Sequence, residues 1–142
     1  MRIDILNGPN LNLLGTREPE IYGTTTLAKI AEMAREHAGT EHKIIFEQTN
    51  SEGTLVDLIQ RAGREADALI LNAAAFTHTS VAIHDALKSV AFPKVEVHLS
   101  NPHAREAFRH KSYVSPVVDM VIAGAGAEGY RLAITALTRT AR

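Results

Sequence analysis

Ala68-Leu69-Ile70-Leu71-Asn72 is an apolar run that ends on an amide, and its reading decides the fold. Five residues are too few for a helix but enough for a strand, and a run with no polar alternation suits a parallel sheet covered on both faces. Leu55, Leu58, Ile59 and Ala62 precede it at helical spacing; Ile83, Ala86, Leu87 and Val90 follow it in the same way. The pattern then repeats outward. Further strand-like runs cover Arg2 to Leu6, Lys43 to Gln48, Lys94 to Leu99 and Val117 to Ala123, with helical stripes at Leu27, Ile30, Ala31 and Ala34 and at Tyr130, Ala133, Ile134 and Leu137. Strands alternating with helices predict an α/β fold, and right-handed crossovers favour a flavodoxin-like, doubly wound, five-stranded parallel sheet of order 2-1-3-4-5.

Helix starts are marked by Ser51, by Thr79 or Ser80, and by Asn101 with Pro102 at the first position of an expected helix after the fourth strand. The 142 residues are expected to form a single catalytic domain, residues 1–142, with a polar lid loop at residues 15–26. Fifteen basic against sixteen acidic residues give no field for nucleic acid. The lack of cysteine excludes disulfides and thiolate metal sites and suits a reducing cytosol. No secretion signal is visible, and no apolar stretch approaches the roughly 20 residues that cross a bilayer. The expectation is a soluble, cytoplasmic protein without metal, cofactor, nucleic-acid or membrane partners.

In a doubly wound sheet ligands bind beyond the carboxyl ends of the strands, near the reversal of strand order. The first strand ends in Asn7-Gly8-Pro9-Asn10, the third in Asn72 and the fourth in Glu96-Val97-His98-Leu99-Ser100. Period two puts Glu96 and His98 on one face of the fourth strand, which is either an acid/base dyad or the wet face of an edge strand. Arg105 and Arg109, four apart in the expected helix, either clamp an anion or form a solvated face. Thr77-His78-Thr79-Ser80 either holds a carboxylate at a helix start or simply caps it. Asp85 taken alone is a surface acid. In the lid, Tyr22 is either a packing anchor or a base; phenolate would need nearby cations, and Arg17 and Arg105 are the candidates. Gly124-x-Gly126-x-x-Gly129 matches a dinucleotide fingerprint by letter, but no second strand and no acidic residue follow it, so a tight turn and close packing are expected instead. The histidines lack the spacing of a metal site.

Along almost the whole chain these segments resemble the type II 3-dehydroquinate dehydratases. The resemblance is carried by Ile5 to Gly15 with Arg17, Glu18, Tyr22 and Gly23, by Thr77 to Ile83, and by Val95 to Asn101 continuing through His103-Ala104-Arg105-Glu106-Ala107-Phe108-Arg109. It implies elimination of water from 3-dehydroquinate through an enolate, without a cofactor. Tyr22 would be the base, assisted by Arg17 and Arg105; Asn10 would stabilise the enolate oxygen, and His98, oriented by Glu96, would protonate the leaving hydroxyl. Asn72, His78, Asp85, Arg105 and Arg109, with the backbone of Leu99 and Ser100, would bind substrate. The family also implies a homo-oligomer, a dodecamer built from trimers, with Asp85 reaching a neighbouring site. One departure stands out: Ala73-Ala74 replaces the Pro-Gly common in the family after the third-strand Asn.

Three rivals are disfavoured on the same residues. A phosphate-accepting receiver would want Asp at position 72, and a flavin-binding module would want a hydroxyl-rich loop after the first strand. A lysine Schiff base is also disfavoured, because none of Lys29, Lys43, Lys88, Lys94 and Lys111 falls among the converging strand ends.

Overall fold

The computed structural model describes residues 1–140, so the last two residues of the expected 1–142 unit lie outside the described residues. Strands β1 (Arg2–Asn7), β2 (Lys43–Gln48), β3 (Ala68–Asn72), β4 (Lys94–His98) and β5 (Met120–Ala123) form a parallel sheet in the order β2-β1-β3-β4-β5. The longer helices are α2 (Leu27–Ala38), α3 (Glu52–Glu65), α4 (Val81–Lys88) and α5 (Glu128–Thr140), while α1 (Pro19–Tyr22) is a single turn inside the lid segment. Successive side chains of β3 feed opposite cores, as a period of two requires. Ile70 joins Ile3, Ile5, Val95 and Val97 against α2 and α5, whereas Leu69 and Leu71 join Leu6 against α3 and α4. All five β3 residues are buried, which is why the run carries no polar face.

The expected caps are formed. Ser51 accepts from the Thr54 N–H at 3.2 Å and Ser80, rather than Thr79, from the Ile83 N–H at 2.9 Å. Thr26 caps α2 in the same way at 3.2 Å, a start the sequence reading passed over.

Two expectations require correction, and one alternative falls. The segment carrying Arg105 and Arg109 is not a helix but two short 3-10 turns, Pro102–Ala104 and Ala107–His110, broken at an extended Arg105. Asn101 does cap the first of them, accepting from the His103 N–H at 3.1 Å. The segment has no apolar stripe to bury, Phe108 being largely exposed, and a helix this short gains most of its stability from such burial. β5 begins at Met120, because Ser115–Val117 forms another 3-10 turn and pairing starts where Val95 meets Met120. β4 is not an edge strand, since β5 pairs along its outer side; the exposed alternation belongs to β5.

The turns after β1 and β3 are packed backbone to backbone. The Gly8 N–H donates to the Asn72 carbonyl at 2.8 Å, and a Cβ at Gly8 would lie 2.4 Å from the Ala73 carbonyl oxygen. In the departure noted above, Ala74 takes a left-handed φ of 51°, a conformation that glycine enters without strain.

Candidate active site

A cleft opens over the carboxyl ends of β1, β3 and β4, beside the β1/β3 boundary where strand order reverses. Asn10, Arg17 and Tyr22 line it from the β1 turn and the lid segment; Asn72 and His78 line it from the end of β3 and the turn beyond. His98, Leu99, Ser100, Arg105 and Arg109 line the remaining wall. Glu96 stands behind His98 and is fully buried. Asp85 is exposed on α4 and does not reach the cleft of its own chain.

The Glu96 carboxylate is the most heavily hydrogen-bonded group at the site. Its Oε2 accepts from the Thr77 hydroxyl and from His98 Nε2, each at 2.6 Å, and from Ser112 at 3.4 Å; its Oε1 accepts from Ser115. Burial alone would push its pKa up, but His98 and these hydroxyls outweigh burial and hold it below the ordinary carboxylate value. An anionic carboxylate can only accept, so His98 carries hydrogen on Nε2 and Nδ1 is the ring nitrogen left for a ligand. Thr77 therefore gives its hydrogen to Glu96, while the Ser80 oxygen caps the helix.

His78 Nδ1 lies 2.8 Å from the Lys111 carbonyl, which only accepts, so Nδ1 bears the hydrogen and Nε2 bears a lone pair. Burial, with smaller contributions from nearby charges, lowers its pKa below the ordinary histidine value, which favours neutral imidazole at neutral pH.

Tyr22 is flanked by two cations. The guanidinium carbons of Arg17 and Arg105 each lie 5.1 Å from its ring centre. Arg105 also donates to Ser100 at 3.3 Å, which ties the lid residue to the β4 loop. The arginine pair thus borders the cleft on 3-10 turns instead of a helix, and Arg109 is steadied by Glu106 at 2.8 Å. Asn10 adopts a left-handed φ of 69°, which Asn tolerates, and its N–H donates to Asn50 Oδ1 at 2.9 Å. Gln48 donates to the same oxygen at 3.0 Å and to the Gly8 carbonyl at 3.1 Å. The supporting residues Gln48, Asn50, Ser112 and Ser115 were missed from sequence, because they meet the site only through tertiary contacts. Among the described residues no three His, Asp or Glu side chains gather as a metal-ligand set.

Comparison with known proteins gives concordant results. A family profile described as "Dehydroquinase class II" matches residues 1–138. The 3-dehydroquinate dehydratase of Hyphomonas neptunium is 62% identical over 135 residues, covering 95% of this chain and 91% of the relative. That of Dinoroseobacter shibae is 60% identical over 137 residues, covering 94% and 90%. The crystal structure of a type II dehydroquinase from Propionibacterium acnes superposes with a TM-score of 0.93 at 44% identity, covering 97% of this chain and 96% of that one.

Proposed function

This chain belongs to the class II dehydroquinase family, and on that premise we propose how its residues carry out the reaction. It is a hydro-lyase that eliminates water from 3-dehydroquinate through an enolate to give 3-dehydroshikimate. Tyr22, as phenolate, removes the proton beside the ketone, and the C–H electron pair moves into the enolate. The guanidinium groups of Arg17 and Arg105 lie against its ring. Asn10 stabilises the enolate oxygen, a contribution worth about 10² to 10³ in rate when the donor is preorganised. The enolate then collapses and the C–O bond breaks. His98, as imidazolium, donates its Nδ1 proton to the departing hydroxyl, which leaves as water. The anionic Glu96 balances the imidazolium charge and orients the ring. Tyr22 ends with a proton and His98 without one, so the enzyme resets by passing one proton between them through solvent.

Asn72, His78, Arg105, Arg109 and the backbone of Leu99 and Ser100 hold the substrate in this orientation. With Nδ1 engaged, His78 accepts from a substrate hydroxyl through Nε2. Residues 15–26 act as the lid of a single catalytic domain that needs no cofactor. Asp85, outside its own cleft, serves a neighbouring copy in a homo-oligomer, a dodecamer of trimers. Among the described residues no helix is long and apolar enough to cross a membrane, and we place the enzyme in the cytoplasm.

The observation that carries this reading is Tyr22 held between two guanidinium groups at the mouth of a cleft backed by the Glu96–His98 pair. The test follows ultraviolet absorbance of the conjugated product from 3-dehydroquinate. Tyr22→Phe should lower kcat by about 10² to 10⁴ while leaving the fold intact. A folded Phe variant with wild-type kcat would remove Tyr22 from the mechanism.

A further inference from the structure

Tyr130 belongs to the apolar stripe of α5, yet its hydroxyl is the centre of a buried polar chain. The side chain is fully buried with its ring 6.2 Å from that of Phe46, and burial pushes its pKa far above the ordinary phenol range. It is therefore a neutral hydroxyl with one hydrogen to give. The direction of the chain follows from its far end. Asn7 Nδ2 donates to the Glu47 carbonyl at 3.0 Å, so Asn7 presents Oδ1 to Tyr130, and Tyr130 donates to it at 2.7 Å. Having given its only hydrogen, the Tyr130 oxygen can only accept, and it accepts from Asn72 Nδ2 at 2.9 Å. Asn72 Oδ1 is left to accept the Ala74 N–H at 3.1 Å. An amide whose two orientations are nearly alike in shape is thus set from both ends, by the neighbouring Ala74 N–H and, through Tyr130 and Asn7, by a carbonyl two strands away. Asn72 keeps one N–H, and the residue is among those that line the cleft.

The glycine pattern before α5 explains how Tyr130 reaches this point. Gly124 and Gly126 take positive φ and donate to the carbonyls of His98 and Leu99 at 3.2 and 2.9 Å. A Cβ at Gly129 would meet Val97 Cγ1 at 3.3 Å, so the bare backbone lets α5 sit close to β4 and brings the next residue beneath the ends of β1 and β3.

We infer that Tyr130 is a positioning residue for the reaction: it acts through Asn72, fixing that amide as an N–H donor toward an acceptor oxygen of the substrate. The inference rests on Asn72 being a substrate binder, and the experiment separates the two. KM and kcat are measured for Tyr130→Phe, Asn72→Ala and the double variant, each with its thermal midpoint. Tyr130→Phe should raise KM roughly tenfold, the factor corresponding to one hydrogen bond of about 1.4 kcal/mol, with kcat little changed. In the Asn72→Ala background the same change should move KM less than about twofold, because the group it acts through is gone. A KM that rises for Asn72→Ala but not for Tyr130→Phe overturns the inference and leaves Asn72 as a binder. An unchanged KM for Asn72→Ala removes the binding role and the inference with it. Equal effects of Tyr130→Phe in both backgrounds make Tyr130 merely structural. If the Phe variant does not fold, Asn7→Ala probes the same chain, since it frees the Tyr130 hydrogen and leaves the Ala74 N–H to hold the Asn72 amide against turning; it should show the same KM rise and the same dependence on Asn72.

Discussion

Thr77→Val removes one hydroxyl from the Glu96 carboxylate while nearly conserving volume. The lost bond is short, 2.6 Å, and both partners are buried, so solvent does not screen it. A hydrogen bond to a charged group contributes about 1.5 to 3 kcal/mol. His98, Ser112 and Ser115 remain in place, so the carboxylate is not orphaned and the cost should stay within that range. For a chain of this size that corresponds to a thermal midpoint lower by roughly 4 to 10 °C near neutral pH. The pH dependence has a definite sign. Glu96 is held below the ordinary carboxylate value, so its stabilisation is complete above that value and is lost as pH falls through the folded pKa. The gap between wild type and Thr77→Val should therefore be full at neutral pH and shrink toward that of a neutral pair as the solution is acidified. Urea midpoints across a pH series read the gap directly, and a Glu96→Gln background supplies the control, where the substitution should cost only about 0.5 to 1.5 kcal/mol, as for a neutral pair. A gap that stays the same in acid, or is as large in the Glu96→Gln background as with Glu96 in place, would mean that the carboxylate is not the anionic acceptor described here.

The two turns facing each other across β1 and β3 should respond with opposite signs in thermal unfolding. Ala74→Gly relieves a left-handed residue, worth about 1 to 2 kcal/mol, against about 0.4 to 1 kcal/mol of added unfolded-state entropy, so the midpoint should rise by a few degrees. Gly8→Ala drives a Cβ into the Ala73 carbonyl and should cost about 3 kcal/mol, with a raised KM as Asn72 is displaced. Borohydride added to enzyme and substrate should leave the protein mass unchanged, because among the described residues no lysine lines the cleft and Lys94 Nζ is engaged by the Leu87 and Val90 carbonyls; a reduced adduct would replace the enolate route with a Schiff base.

The strands and the placement of Glu96 beside His98 were legible because both depend on local periodicity, and the strand order followed from the handedness of the crossovers. β3 has no polar face since both its faces are covered, and two residues two apart on a strand must share a face. The arginine pair reaches the cleft for a different reason from the one its spacing suggested: 3-10 turns hold it there, and the four-residue interval carries no helical meaning. The hydroxyls around Glu96 have no motif, as Thr77, Ser112 and Ser115 come from 16 to 19 residues away on two sides. Tyr130 was read as an apolar stripe residue, which is true of its ring and silent about its oxygen.

The buried chain through Tyr130 also sets a schedule for synthesis. It joins residues 123 positions apart at one end and 58 at the other. At about 5 to 20 residues per second, Tyr130 is polymerised about 3 to 12 s after Asn72. Until then a growing chain can assemble the inner strands and their covering helices, yet the hydroxyl that joins the two side-chain amides at their ends is still missing. The pocket therefore ripens last, when the final helix docks, and an emerging chain that already looks folded is still without its substrate grip.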